Sequence, residues 1–139
     1  MRDILRELGG MPGVRGAAVV LSDGVVVAAE LAPGSDPDSF AALFSSLLSH
    51  VRRNVTKLGL GGIRRAMVTA SRGRFAMTDV GGEAYLVAEI ERHADPSAVE
   101  LELESAASRL RREMRPSEYP HTPSSPVPAP LPYDPSARA

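Results

Sequence analysis

The sequence predicts an α+β sandwich: a five-stranded antiparallel sheet covered by helices on both faces, in the order α-ββ-α-βββ-α. Three observations carry that reading. Apolar residues recur at intervals of three and four in three separate segments. Short β-branched runs bounded by glycine turns come as a group of two and a group of three. The opening pair, within "PGVRGAAVVLSDGVVVAAELAPG" (Pro12 to Gly34), is apolar at almost every position and not at alternate ones. A hairpin with one wet face alternates, so this one needs cover on both sides.

Each element has its own signal. Ile4, Leu5 and Leu8 share one side of a short helix that Gly9-Gly10 stops. The first strand runs from Val14 to Leu21 and the second from Val25 to about Leu31, with Asp23-Gly24 read as a two-residue turn whose positions both want positive φ. Asp36 then caps a helix that has Pro37 at its first position. That helix continues to about Leu58, with Phe40, Leu43, Phe44, Leu47, Val51, Val55 and Leu58 as its apolar stripe. Ala41 and Leu48 widen the stripe on one side. An arc that wide predicts a sheet beneath the helix and a second neighbour alongside it.

Gly59, Gly61 and Gly62 end the long helix. Three strands follow, Ile63–Ser71, Arg74–Thr78 and Glu83–Glu91, turned by Arg72-Gly73 and Gly81-Gly82. Asp95-Pro96 repeats the cap-and-proline start of a last helix reaching Met114, with Val99, Leu103, Ala106, Leu110 and Met114 on one face. The domain is therefore 1–115. From Pro116 to Ala139 stand eight of the chain's twelve prolines and few large apolar residues, which predicts a disordered, partly polyproline-II tail at 116–139.

Composition removes several function classes. There are no cysteines, hence no disulfides, thiol nucleophiles or cysteine-ligated metal. No apolar run approaches the roughly 20 residues of a membrane span, and no signal-peptide core follows the N-terminus, so a cytoplasmic protein is expected. Aromatic residues make up 4%, without tryptophan, which argues against base stacking and nucleic-acid binding. "TKLGLGGIRR" (Thr56 to Arg65) places its lysine before the glycines and runs from helix to strand, the reverse of a phosphate loop. His50, His93 and His121 form no metal-binding spacing, and no GxSxG elbow exists. No cofactor, metal or catalytic residue is expected.

Charge is the one strong functional signal. Net charge is −1, yet no acid lies between Asp38 and Asp79, where Arg52, Arg53, Lys57, Arg64, Arg65, Arg72 and Arg74 all fall. From Asp79 to Glu118 there are ten acids and five arginines. Two readings remain open: the two regions pair within the fold or across a dimer, or the basic interval meets an external acidic partner.

The element order and the opening "MPGVRGAAVVLSDGVVVAA" resemble the roadblock family, which is named with the dynein light chains it includes. The most specific part is Pro12 to Ala28, and the similarity covers residues 1 to 115. The resemblance implies a profilin-like sandwich. It also implies a homodimer joined through the third strand and the long helix, with a ten-stranded sheet. Ala41, Leu48 and Val55 on the helix and Arg65, Met67 and Thr69 on the strand are the expected dimer contacts. In a monomer, Arg64 and Arg65 would instead protect an exposed edge.

The resemblance further implies a non-enzymatic regulator of a small Ras-like GTPase, some relatives of which accelerate GTP hydrolysis as dimers. Helical geometry then selects the outward face, Ala42, Ser45, Ser49, Arg52 and Arg53, as the partner contact. A dimeric scaffold tethering a GTPase, sensor kinase or motor without affecting hydrolysis is the alternative. A small-ligand sensor is a third reading, one that lacks converging polar residues.

Overall fold

The computed structural model describes residues 1–114. The proline-rich segment expected from Pro116 onward lies outside the described residues. The elements are α1 (Arg2–Gly9), β1 (Val14–Leu21), β2 (Val26–Glu30), α2 (Pro37–Lys57), β3 (Arg65–Ala70), β4 (Gly73–Gly81), β5 (Ala84–Glu91) and α3 (Pro96–Glu113). They follow the predicted order. The five strands form one antiparallel sheet, β2-β1-β5-β4-β3, so β2 and β3 are its edges.

The apolar hairpin is covered on both sides in its first arm only: β1 is buried on both faces, whereas the second arm lies at the sheet edge and leaves Val25 and Val27 exposed. Ala17 and Val19 of β1 point into a core with Ile4, Leu5 and Leu8 of α1 and Leu103, Ala107 and Leu110 of α3. Ala18 and Val20 point the other way, into a core with Ala41, Phe44 and Leu48 of α2. Neighbouring β5 alternates in the same manner, with Leu86 and Ala88 on the first side and Tyr85 and Val87 on the second. A strand buried on both faces has no polar alternate positions to show.

Local chemistry sets the boundaries. Asp36 caps α2 by accepting from the Asp38 backbone N–H at 3.3 Å and the Ser39 hydroxyl at 2.7 Å. Those two donors hold its carboxyl below the ordinary aspartate range. Asp95 caps α3 by accepting from the Ser97 backbone N–H. The far end of α2 is a Schellman motif: the Leu60 N–H donates to the Val55 carbonyl, the Gly59 N–H to that of Thr56, and Gly59 has φ +73°. The glycines after Lys57 are thus a helix stop, as their order predicted.

Several boundaries are corrected. The β1–β2 turn is a three-residue loop, because only Gly24 has positive φ (+97°). The Gly24 N–H donates to the Leu21 carbonyl and the Leu21 N–H to that of Val25. This turn with a bulge at glycine spans Ser22 to Gly24, Val25 closes it opposite Leu21, and β2 runs from Val26. β3 is shorter than Ile63–Ser71 and β4 longer than Arg74–Thr78: pairing from Arg65↔Thr78 to Ala70↔Gly73 makes a tight β3–β4 hairpin.

Candidate functional site

The side of the molecule that stays uncovered is the one where α2 overhangs β3. β3 pairs only with β4, and its other edge is free among the described residues. Its residues alternate between the two faces. Arg65 and Met67 face α3, beside Glu100 and Leu103, whereas Val68 and Ala70 face α2. Above Val68 and Ala70, α2 presents Phe40, Leu43 and Leu47. The two walls enclose an open, largely apolar cleft of about 540 Å³, floored by Phe44 and Phe75.

Half of the large exposed apolar side chains among the described residues lie on this side. Leu43 is 73% exposed, and Leu47, Val51, Met67 and Val68 are each more than a third exposed. Arg15, Arg72, Arg74 and Glu89 mark the polar end of the cleft, where Arg15 and Glu89 approach to 3.7 Å. Arg74 Nη1 is buried and has no hydrogen-bond partner among the described residues.

This corrects the expected phase of α2. Ala41 and Leu48 are fully buried against the helix's own sheet and do not flank it. Val55 also packs, half-buried, on that core. The side stripe left for a neighbour is Leu43, Leu47 and Val51. The arc is as wide as expected, but its sides exchange roles: the residues expected on the flank lie against the sheet, and Leu43, Leu47 and Val51 face outward. Ala41, Phe44 and Leu48 together seat the helix on the sheet, and the Phe44 ring packs, tilted, between Phe75 and Tyr85 at centroid distances of 6.3 and 5.7 Å.

On β3, Arg65, Met67 and Thr69 are all exposed at the free edge. Arg65 is engaged within the chain by Glu104 of α3 at 3.3 Å. The apolar strand residues on the α2 side are Val68 and Ala70. The period-two alternation of the strand carried the signal, which becomes usable only once α2 is known to lie on that face.

The outward face of α2 is split as well. Ala42, Ser49 and Arg53 are exposed. Ser45 and Arg52 are half-buried and turned inward: the Ser45 hydroxyl donates to the Ser22 carbonyl at 3.0 Å, and Arg52 Nη2 reaches the Tyr85 hydroxyl at 3.4 Å. Toward the C-terminal end of the helix, Ser49, Arg52, Arg53, Thr56 and Lys57 form a shallow basic groove.

The charge question also has an answer for the described residues. Of the seven basic side chains between Arg52 and Arg74, only Arg65 forms a salt bridge. The remaining intramolecular pairs, such as Arg109–Glu7 at 2.8 Å and Arg2–Glu30 at 3.7 Å, lie elsewhere. Within one chain, the acids of the described residues therefore leave the basic interval largely unneutralised.

Residues 2–89 match the Roadblock/LC7 domain. The chain belongs to the roadblock/LC7 family. An uncharacterized protein of Methanocaldococcus jannaschii is 28% identical over 108 residues, covering 78% of this chain and 91% of the relative. Among solved structures, the roadblock/LC7 domain from Streptomyces avermitilis superposes with a TM-score of 0.74 at 22% identity, covering 81% of this chain and 96% of that one. Myxococcus xanthus MglB gives a TM-score of 0.76 at 16% identity, covering 81% and 92%. At these identities the structural likeness is one of fold. The sandwich described above is the profilin-like fold of the roadblock domain. No helix among the described residues is long and apolar enough to cross a membrane.

Proposed function

We propose that this roadblock-domain protein is a homodimeric, non-enzymatic regulator of a small Ras-like GTPase. Family membership and the fold shared with MglB support the GTPase reading. The dimer reading has its own physical support. A free strand edge is an exposed row of hydrogen-bonding groups. Beside it stand Leu43, Leu47 and Val51, three large apolar side chains in water on a single helix. One partner removes both costs together if it adds a strand to β3 and a helix to α2, and a second copy has both to offer.

The observation that carries the partner reading is the unneutralised basic face. Arg53 and Lys57 stand exposed beside Ser49, with Ala42 about three turns back from Arg53 toward the start of the helix, and no acid of the described fold pairs with them. Small residues permit close approach, and unpaired cations steer and orient an acidic partner surface. An α2 pair would present two such faces side by side.

The test is a pulldown against the small GTPases of the source organism, loaded with GDP or a GTP analogue. Single-turnover GTP hydrolysis follows for any that bind. Nucleotide-dependent binding with faster hydrolysis is expected. Binding without a change in hydrolysis would reduce the protein to a tether, and absence of nucleotide-dependent binding would remove the GTPase reading altogether.

A further inference from the structure

Two of the most exposed large apolar side chains lie outside the cleft. Leu58 and Leu60, 71% and 68% exposed, project from the connection between α2 and β3. Flexibility does not account for them. The Schellman bonds from Gly59 and Leu60 hold the connection against the helix end, so the leucines are presented on a preformed knob. Around Gly59, Gly61 and Gly62 there is open space. The protomer thus carries an apolar knob and an apolar cleft, and they lie at opposite ends of β3. The knob leads into the Arg65 end, whereas the cleft lies over Val68 and Ala70.

Pairing β3 with its own copy brings the two features together. For α2 and its copy to lie on the same face of a continuous sheet, the two-fold axis must run perpendicular to that sheet, and the paired β3 strands are then antiparallel. The Arg65 end of each strand meets the Ala70 end of the other. Each knob arrives at the mouth of the other copy's cleft, and symmetry makes the contact twice.

Charge favours the same arrangement. Asp36 and Asp38 begin α2 next to Phe40 and the cleft, while the exposed Arg64 follows the knob at the start of β3. Self-pairing brings the acidic start of one α2 toward Arg64 of the other copy and leaves Arg53 and Lys57 to the outward face.

From this we infer that Leu58 and Leu60 of each copy fill the cleft formed by Phe40, Leu43, Leu47 and Val68 of a second copy. The inference rests on the homodimer proposed above and adds the residues that lock its register.

The chain has no cysteine, so introduced pairs report cleanly. Chains carrying Leu43→Cys and chains carrying Leu60→Cys are mixed and oxidised under mild conditions. Within one chain these positions lie at opposite ends of a helix running some 1.5 Å per residue, too far apart for a disulfide. A disulfide-linked heterodimer is expected from this mixture and not from Leu60→Cys mixed with Leu101→Cys, which places the second thiol on α3. The double variant Leu58→Ser, Leu60→Ser should fold normally and dimerise on the order of tenfold more weakly. Solution mass, measured in parallel, keeps the two readings apart. A dimeric mass, twice 14.7 kDa, without the Leu43–Leu60 cross-link overturns the knob-and-cleft contact and leaves the dimer standing. A monomeric mass overturns both. Leucines free to sediment the wild-type protein with anionic lipid vesicles, with no cross-link formed, would assign the knob to a membrane surface instead.

Discussion

The hydroxyl of Ser45, midway along α2, donates a 3.0 Å hydrogen bond to the backbone carbonyl of Ser22 in the first hairpin turn. Gly24 lies under the same helix: a Cβ placed there would stand 3.4 Å from the Ser45 Cβ. The turn of the hairpin is therefore a rest for the long helix. Ser45→Ala is expected to lower stability by about 1 kcal/mol in urea unfolding, the ordinary worth of one such bond. Gly24→Ala should cost more, since alanine would also be strained at φ +97°. Neither change should alter the partner-binding face, which a pulldown with the folded variants checks.

The phase of α2 gives a sharp contrast between two leucines five residues apart. Leu48 is buried against the sheet and Leu43 stands in water. Leu48→Ala should destabilise the protomer by about 2–5 kcal/mol, the range for a truncated core leucine. Leu43→Ala should leave protomer unfolding within about 0.5 kcal/mol of wild type, as exposed substitutions do, and act on association. Chemical denaturation paired with the concentration dependence of solution mass distinguishes them. Equal effects on folding would contradict the rotated stripe.

The glycines of "PGVRG" have a spatial reason. A Cβ on Gly16 would lie 2.9 Å from the Cα of Leu31, and one on Gly13 would lie 2.6 Å from the Cβ of Ala94. Gly16→Ala forces β1 away from the chain leaving β2, at about 1–3 kcal/mol for overpacking. Gly13→Ala adds backbone strain to the same clash, because Gly13 has φ +94°. Thermal unfolding of the two variants should rank Gly13→Ala the lower.

Stability should also respond to acid through α1 and α3. Arg109 donates to Glu7 at 2.8 Å and so holds the Glu7 carboxyl below the ordinary glutamate range. A carboxyl with its folded pKa depressed adds stability that is present above its unfolded value and fades as pH falls through the folded one. Glu7→Gln should therefore lower the Tm slightly at pH 7, with the difference from wild type closing as pH drops below about 4. A gap that persisted at pH 2 would mean the pair acts by packing and not by charge.

If the basic groove receives the proposed partner, charge reversal there should act on association and not on folding. Arg53→Glu and Lys57→Glu should weaken GTPase capture severalfold at low salt and flatten its salt dependence. Arg112→Glu, an exposed change on α3, serves as the control. Equal loss from all three variants would remove the groove from the interface.

The elements of the fold were legible because each has a local cause. Asp36-Pro37 and Asp95-Pro96 start helices, the glycines after Lys57 stop one, and the two-sided apolar hairpin announces a covered sheet. Turn type was less legible. Asp23-Gly24 suits a two-residue loop, yet Asp23 keeps a negative φ and Ser22 joins the turn, because the β1–β2 register and its bulge at Val19/Val20 decide the geometry.

By itself, then, the sequence determined which segments become helix or strand, that α2 carries a wide apolar arc, and that the basic interval holds no acid. Only tertiary structure decided which side of α2 meets the sheet, which β3 residues share a face with it, and that Ser45 and Arg52 turn inward. The physical reason is that a wide apolar stripe specifies an area to be buried without specifying its orientation. Close packing chooses the rotation, here by seating Ala41, Phe44 and Leu48 against Val20, Met77 and Tyr85. What that choice leaves in water, Leu43, Leu47 and Val51 beside a free strand edge, is the surface on which function should be sought.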